Sequence, residues 1–410
     1  MIQISELFLG IPKAIQKGLN FYKPLFTKPQ FSHFSVFVSG LIINNNKTIQ
    51  DISDSLSSKN QSSLNRFLTK SEWKTDKLNS YRIKQVKKCS KLRKGIFIGD
   101  DSFLHKTGHH IEKAYYYRSG KTKRKEWGHC LVNSIYTDND DYTFPINADI
   151  YLRKEVCDKS HPFKTRRELL IEQLDFALRK KIPLWLAIID NGYYSHELIK
   201  DIRQRKLKYL AGVHVTNKIF IDYHTKGEKY LSVEEYINKL AEKNYETFWI
   251  NKDKYFIHSS EVFIKQLGKQ RIIVSYKDGD EEIGIKAYIT NIFDTSNKQI
   301  LTLLLKRWNI EGFHRDAKQH LGLESYQVRK YRAVQKYVHA ILLAYTLLVL
   351  NKKQDILMSL KRKLKTIGEL CRFFKLIAQK GMKWITRKAK NLVKLREVMN
   401  KYVVVKNAKV

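Results

Sequence analysis

The segment PLWLAIID, residues 183–190, constrains the fold of this chain of 410 residues more than any other. It is a continuous apolar run that ends on an acid, Asp190. A strand without polar alternation is buried on both faces, which happens in the centre of a sheet that carries helices on each side. The run therefore predicts a mixed α/β domain.

Patterns on either side of this run predict the order of the elements. Three strand-like runs follow Gly95, namely GIFIGD, GHCLVNSIYTD and YTFPINADIYL, and an apolar stripe over 165–181 predicts a helix. A helix over about 195–204 and the run LKYLAGVHV follow Asp190. Three strands, a helix, a strand, a helix and a strand is the order of an RNase H-like domain. This order places the strand of Asp100 beside the strand that ends at Asp190.

The rest of the chain divides into regions of different pattern. Residues 1–92 are predicted to be a helical N-terminal DNA-binding region, and 93–214 are the first part of the core. Short alternating runs over 215–298 are typical of a mostly β insertion. The core resumes at 299–345 with a helix, and 346–410 are predicted to be a basic helical region.

The N-terminal region holds a candidate helix-turn-helix at residues 48–68. TIQDISDSL, SSKNQ and SSLNRFL follow the pattern of helix, turn and helix, and Thr48 and Asp51 have the spacing of a capping box. Residues 1–90 carry a net charge of +9, which suits contact with DNA. A small bundle that only packs against the core is the alternative.

The charge of the whole chain indicates a polyanionic partner. It has 77 Lys and Arg against 40 Asp and Glu, a formal net charge of +37, and such a field attracts polyanions. Nucleic acid is the leading candidate, and an anionic membrane is the weaker one. The most apolar run, residues 338–350, is too short to span a bilayer and is predicted to be a buried helix.

The cysteines and the N-terminus bear on the compartment. The four cysteines form no C-x-x-C pair, so we expect neither disulfides nor structural zinc, which favours a reducing cytosol. MIQISELFLGIPK lacks the charged region and long apolar core of a signal peptide. We therefore expect a cytoplasmic protein associated with the nucleoid.

A group of potential zinc ligands fits no standard spacing: His105, His109, His110, His129 and Cys130.

The stretch LTLLLKRWNIEGFHRDAKQHLGLESYQVR, residues 301–329, carries a further acid. Wound as a helix, it places four polar residues on one face: Arg307, Glu311, His314 and Lys318. Apolar residues border this face, and a carboxylate with apolar neighbours is better explained as a metal ligand than as a surface charge. A solvated face with ordinary helical charge pairs is the alternative.

Two carboxylates at strand ends and one on an apposed helix make the ligand set that hard divalent cations need. Two such ions about 4 Å apart activate an attacking hydroxyl and stabilise the leaving oxygen of a phosphodiester. We therefore predict Asp100, Asp190 and Glu311 as catalytic ligands of two Mg²⁺ or Mn²⁺ ions. Asp101 is the alternative to Asp100, and Glu324 is the alternative to Glu311.

These residues resemble the DDE transposases of bacterial insertion sequences, specifically the group with a β insertion between the second acid and the glutamate. Arg307, Glu311 and Lys318 match the last three positions of that group's signature of tyrosine, arginine, glutamate and lysine. Leu304 stands at the tyrosine position. IGDDSFLHKTG resembles the first acid block and IIDNGYYS the second. The resemblance covers about residues 93–332.

The resemblance implies a cut-and-paste transposase that binds terminal inverted repeats, cleaves DNA with metal ions and transfers the strand to target DNA, with hairpin ends as one route. We accordingly predict double-stranded DNA as the partner, a homodimer in the synaptic complex and no contact with a membrane. The predicted DNA contacts are Arg307, His314, Arg315, Lys318, Lys121, Lys123 and Arg124. An RNase H-like nuclease without transposition and a catalytically silent DNA-binding protein are the alternative functions.

Aromatic residues accompany the basic segment RSGKTKRKEWGH, residues 118–129. Three tyrosines precede it at 115–117, and Trp127 lies within it. Basic and aromatic residues in alternation suit a flipped or single-stranded base near the cut site. A solvated hairpin tip is the alternative. Trp308 is predicted to lie in the core.

Overall fold

The apolar run that ends at Asp190 forms a buried central strand, as predicted. Its middle residues Leu186, Ala187 and Ile188 are fully buried. The structure is a computed structural model, and the ranges that it describes are 11–56, 60–118, 124–220, 230–279, 284–353 and 364–388. The predicted DNA contacts Lys121 and Lys123 lie outside these ranges.

The described residues form helices and strands in the alternation that the sequence predicts. The helices are α1 (Lys13–Asn20), α2 (Lys28–Ile43), α3 (Ile49–Leu56), α4 (Gln61–Thr69), α5 (Thr75–Cys89), α6 (Arg166–Arg179), α7 (His196–Gln204), α8 (Val233–Ile237), α9 (Asn297–Leu305), α10 (Trp308–Leu321), α11 (Tyr331–Lys353) and α12 (Ile367–Lys388). The strands are β1 (Gly95–His105), β2 (Tyr115–Arg118), β3 (Lys125–Thr137), β4 (Phe144–Tyr151), β5 (Leu184–Ile189), β6 (Lys208–Val213), β7 (Lys218–Phe220), β8 (Tyr230–Ser232), β9 (Glu246–Ile250), β10 (Asp253–Ile264), β11 (Gly268–Lys277) and β12 (Lys286–Thr290).

The core sheet has the RNase H-like order that the sequence predicts. Its strands run β4-β3-β1-β5-β6, with antiparallel pairing of β1 to β3 and of β3 to β4. β1, β5 and β6 are parallel. Gly99 pairs with Ile189, so the residues that follow them, Asp100 and Asp190, lie side by side where β5 ends. Asp100 lies within β1 and not at its end, where the sequence placed it.

The two faces of β1 pack on different helices because side chains alternate along a strand. Ile96, Ile98 and Leu104 join the apolar cluster that contains residues of α10 and α11. Phe97 joins the cluster under α6 and α7. Gly99 lets α6 approach this second face, since a Cβ there would lie 2.2 Å from a methyl carbon of Leu170.

The insertion after β6 is mostly β, as predicted, and its sheet continues the core sheet. β12 pairs antiparallel to β6, with Ala287 opposite Val213. The remaining insertion strands follow in the order β11-β10-β7-β8, and β9 pairs with β10, so the described strands form one twelve-stranded sheet. The helix predicted in LSVEEYINKLAEK is the short α8. The antiparallel β6–β12 junction places insertion residues next to the end of β5.

α11 is the central helix of the helical layer. Its residues 338–350 are buried, as predicted. The helix is long and apolar enough to cross a membrane over Tyr331–Lys352, but 94% of its most apolar window is buried inside the protein. It packs against α2, α4, α5 and α12, so it serves as a core helix.

The two helices of the predicted helix-turn-helix are present as α3 and α4, and residues 57–59 of the predicted turn SSKNQ lie outside the described ranges. Thr48 Oγ1 accepts the Asp51 N–H at 3.1 Å, which confirms the N-terminal cap. Ile52, Leu64 and Phe67 belong to the main apolar cluster. The pair of helices is thus packed on the core, and its contact with DNA stays a prediction.

Candidate active site

Three acids from distant parts of the sequence line one cavity of about 510 Å³. Asp100 lies within β1, Asp190 directly follows β5, and Glu311 lies in the first turn of α10. The parallel pairing of β1 with β5 brings the first two together. α10 packs across β1 and β3 and adds the third. The structure thus gathers the predicted acids.

Asp100 and Asp101 point to opposite faces of β1. Asp100 lies on the face of α10, and its Oδ1 accepts the backbone N–H of Asp101 at 2.8 Å. Asp101 lies on the face of α6, where Arg166 Nη1 donates to its Oδ1 at 3.2 Å and the thiol of Cys130 lies 3.4 Å from its Oδ2. Of the two candidates for the first ligand, Asp100 lines the cavity with Asp190.

The surroundings of Asp100 disfavour its negative charge. Burial raises the pKa of this carboxyl to about 8, and the negative charges of Asp101, Asp190 and Glu311 add to that shift. A nearby cation acts in the opposite direction, because it stabilises the ionised carboxylate. Positive charge near the three acids therefore favours the ionised form of Asp100.

Arg307 supplies positive charge next to the acids. Its Nη1 lies 2.5 Å from Glu311 Oε1 and 3.8 Å from Asp190 Oδ1. Both carboxylate oxygens therefore lie close to the same nitrogen atom of Arg307. Arg307 is buried. One buried cation bridges the second and third acids.

One carboxylate oxygen of Glu311 makes no hydrogen bond to the described residues. This oxygen, Oε2, is buried, which is a costly arrangement for a carboxylate. In the ranges that the structure describes, no group of three or more His, Cys, Asp or Glu side chains is arranged to hold a metal ion. The donor chemistry nevertheless fits hard divalent cations, because three carboxylates face one cavity and one buried oxygen lacks a partner.

The predicted helix over 301–329 is two helices rather than one. α9 ends at Leu305, and a tight turn precedes α10, in which Arg307 N–H donates to Leu304 O at 3.1 Å. The turn sets Arg307 at the start of α10, where its side chain reaches the acids. Trp308 is 46% exposed, so its prediction as a core residue is wrong. Lys286 Nζ lies 5.2 Å from the centre of the indole ring.

Two predicted DNA contacts on α10, the buried His314 and the half-buried Lys318, are bound to partners within the protein. His314 Nε2 lies 2.5 Å from Asn133 Oδ1, and burial, with Lys318 nearby, lowers the pKa of the imidazole to about 3. Lys318 Nζ donates to the carbonyl of Phe103 at 2.8 Å and pairs with Glu324 at 2.6 Å. Their roles as DNA contacts stay predictions that these positions do not favour.

Arg315 and Arg124 are placed at the surface. The side chain of Arg315 is 67% exposed and lies 4.0 Å from Asp316. Arg124 is exposed at the beginning of β3. Both positions allow contact with a phosphate.

The site contains residues that sequence reasoning missed. His214, Lys286 and Tyr288 line the cavity of the three acids, and a second cavity of about 270 Å³ shares Lys286, Tyr288 and Arg307 with it. His214 directly follows β6, and the insertion residues Lys286 and Tyr288 reach the site because β12 pairs with β6. No local pattern in the sequence indicates that pairing.

Comparison with known proteins gives a family. Residues 20–230, slightly more than half of the chain, match the family described as DDE superfamily endonuclease. That range includes Asp100 and Asp190 and ends before Glu311. A relative from Microchaete diplosiphon, described as "Probable transposase for insertion sequence element IS701", is 24% identical over 242 residues. The match spans 57% of this chain and 62% of the relative.

Among solved structures, the chain is similar to the piggyBac transposase in a synaptic complex with hairpin DNA, determined by cryo-electron microscopy. The TM-score is 0.47 and the sequence identity 11%, and the superposition covers 99% of this chain and 84% of that chain.

Proposed function

Because the chain belongs to the DDE superfamily of endonucleases, we propose that it is the transposase of an insertion sequence, which cleaves DNA at the ends of its element and joins them to target DNA. One observation supports a function more specific than membership of the family. Three carboxylates from β1, β5 and α10 line a single cavity, and one of them has a buried oxygen without a partner among the described residues.

Asp100, Asp190 and Glu311 would hold two divalent ions, Mg²⁺ or Mn²⁺. When bound, such ions activate an attacking hydroxyl and stabilise the leaving oxygen of a phosphodiester. The protein's contribution is to keep the three carboxylates together where β5 ends, shielded enough from water that burial raises the pKa of Asp100. Hydrolysis and strand transfer both use this site, with water or a 3′ hydroxyl as the attacking group.

Arg307 has a second role in this proposal. While it bridges Glu311 and Asp190 it balances their charge. Its guanidinium is also suited to the scissile phosphate, because its planar fork donates two parallel hydrogen bonds to phosphate oxygens. We place Arg307 and the exposed Arg315 among the DNA contacts. Lys318 and His314 act as positioning residues, since they tie α10 to β1 and β3.

Binding of the DNA ends involves the rest of the basic chain. The net charge of +37 supplies the electrostatic attraction. We propose that the N-terminal helices read the terminal inverted repeats, that the basic C-terminal region adds phosphate contacts, and that two copies of the chain hold two ends together. Cut-and-paste movement through hairpin ends is one route that this arrangement allows.

Glu311→Gln tests the proposed chemistry. The substrate is a duplex that carries the inverted repeat found in the DNA flanking the reading frame, with Mg²⁺ or Mn²⁺. The variant should bind this duplex like the parent, because no positive charge is lost, and its cleavage should fall by at least about 1000-fold. Cleavage near the parent rate would show that Glu311 is not a ligand.

The assay also separates the alternative functions. A nuclease without transposition would cleave the duplex but would not join the freed 3′ end to a supercoiled target plasmid. A silent DNA-binding protein would bind and leave the duplex intact with either metal. Joined product that depends on the inverted repeat is expected only from a transposase.

A further inference from the structure

β1 and β3 extend past the active site. Asp100 lies near the middle of β1, where the parallel strand β5 ends, and β1 continues for five more residues to His105. β3 follows it in unbroken antiparallel register, and β2 pairs with the outer part of β3. A three-stranded extension of the sheet thus projects beyond the end of β5.

Aromatic side chains lie on this extension. The rings of Tyr116 and Trp127, which are cross-strand partners, are 5.0 Å apart between centroids, and His109 lies 5.1 Å from Trp127. Tyr116 is 46% exposed and His109 is exposed. The three rings meet at 60° and 47°, so neither neighbour covers the face of Trp127 in a parallel stack. We call Tyr116, Trp127 and His109 the aromatic cluster.

The aromatic cluster lies on the same face of the sheet as the catalytic acids. Asp100 pairs with Asn133, and cross-strand partners point to the same face. Trp127 precedes Asn133 by six positions on β3, an even number, so it shares that face. Six residues of strand span about 20 Å. This length equals about six nucleotides of a strand. His129 and Leu131, which lie between them on this face, are buried, so a DNA strand from the acids to the cluster would pass over the residues that cover them.

The electrostatics and the rigidity of the extension favour DNA as the ligand. Arg118 and Lys125 are exposed two positions beyond Tyr116 and Trp127. Trp127 is held in place because its Nε1 donates to the carbonyl of Gly108 at 3.0 Å and its carbonyl accepts from the backbone of Lys106. A fixed, partly exposed aromatic surface beside cations is the arrangement that stacks bases of single-stranded nucleic acid.

We infer that the aromatic cluster is a stacking site for an unpaired base of the DNA strand that leaves the active site. This inference rests on the proposed function for the identity of the DNA. It adds a binding site on the β1–β3 extension, outside the cavity of the three acids.

Variants of Tyr116 and Trp127 test the site by fluorescence anisotropy. The probes are a labelled dT strand of about 20 nucleotides and a labelled duplex of the same length. Tyr116→Ala and Trp127→Ala should weaken binding of the dT strand by about 5- to 150-fold, the range for one stacked base. Binding of the duplex should change less than about twofold. Tyr116→Phe keeps the ring and should match the parent.

Trp249→Ala is the matched control, because Trp249 is an indole in the insertion that is 67% exposed, and it should bind both probes like the parent. Parent-like binding of the dT strand by Tyr116→Ala would overturn the inference, and so would equal weakening of both probes. If Trp127→Ala does not fold, the comparison of Tyr116→Ala with Tyr116→Phe still tests the stacking site. Metal-dependent cleavage by the parent is scored separately, so failure of the stacking site and failure of the proposed function give different results.

Discussion

Asp100 and Asp101 are neighbours in sequence and opposites in environment. Asp100 is turned toward α10, where burial raises its pKa to about 8, and the charges of the adjacent Asp101 and of Asp190 and Glu311 add to the shift. Asp101 is turned toward α6, where Arg166 pairs with it at 3.2 Å. The face of α10 gathers further acids around Asp100, and the face of α6 gives Asp101 its own ion pair with Arg166. A carboxylate at a catalytic cavity therefore differs from a structural one in its neighbours, and not in its residue type.

The largest expected effect separates the two acids by activity. Asp100→Asn should lower metal-dependent cleavage by about 1000-fold or more, because the amide loses the charge that a divalent cation needs. Asp101→Asn should lower it by less than about tenfold, since it weakens the pair with Arg166 and the contact with Cys130. Single-turnover cleavage of the inverted-repeat duplex measures both. Equal losses would place Asp101 in the metal site and remove the distinction.

A smaller effect concerns Arg307 and Arg166, and it is measured as the free energy of unfolding. Arg307→Ala should lower the free energy of unfolding by about 1–3 kcal/mol in metal-free buffer, because Glu311 and Asp190 lose their shared partner. Added Mg²⁺ should then stabilise this variant more than the parent, since the ion replaces the missing positive charge. Urea denaturation with and without Mg²⁺ measures the difference.

Arg166→Ala is the control for that experiment, because Arg166 pairs with Asp101 on the opposite face. It should respond to Mg²⁺ like the parent. A parent-like response of Arg307→Ala as well would mean that the arginine and the ion do not act on the same acids.

The two faces also show what the sequence determines. The run 183–190 and the order of elements predict the central strand and the adjacency of Asp100 and Asp190, because burial and connectivity are recorded in local patterns. The break before Trp308 leaves no such record, since Lys306 and Arg307 are ordinary helical residues in a periodic segment. Lys286 joins the cavity through the register of β12 on β6, and pairing between segments so far apart in sequence is decided by tertiary packing.

The smallest expected effect concerns two cations on α10. Lys318 is bound to partners within the protein, and Arg315 is largely exposed. Arg315→Ala should therefore lower the slope of log Kd against log salt for duplex DNA by about 0.9, the value for one lost phosphate contact. Lys318 is held by Phe103 O and Glu324, so Lys318→Ala should leave that slope unchanged. Because Lys318 ties α10 to the strand of Asp100, its loss should instead slow cleavage by several-fold. A reduced slope with unchanged cleavage would show that Lys318 leaves Glu324 and binds phosphate in the complex, which would move it from the positioning residues to the DNA contacts.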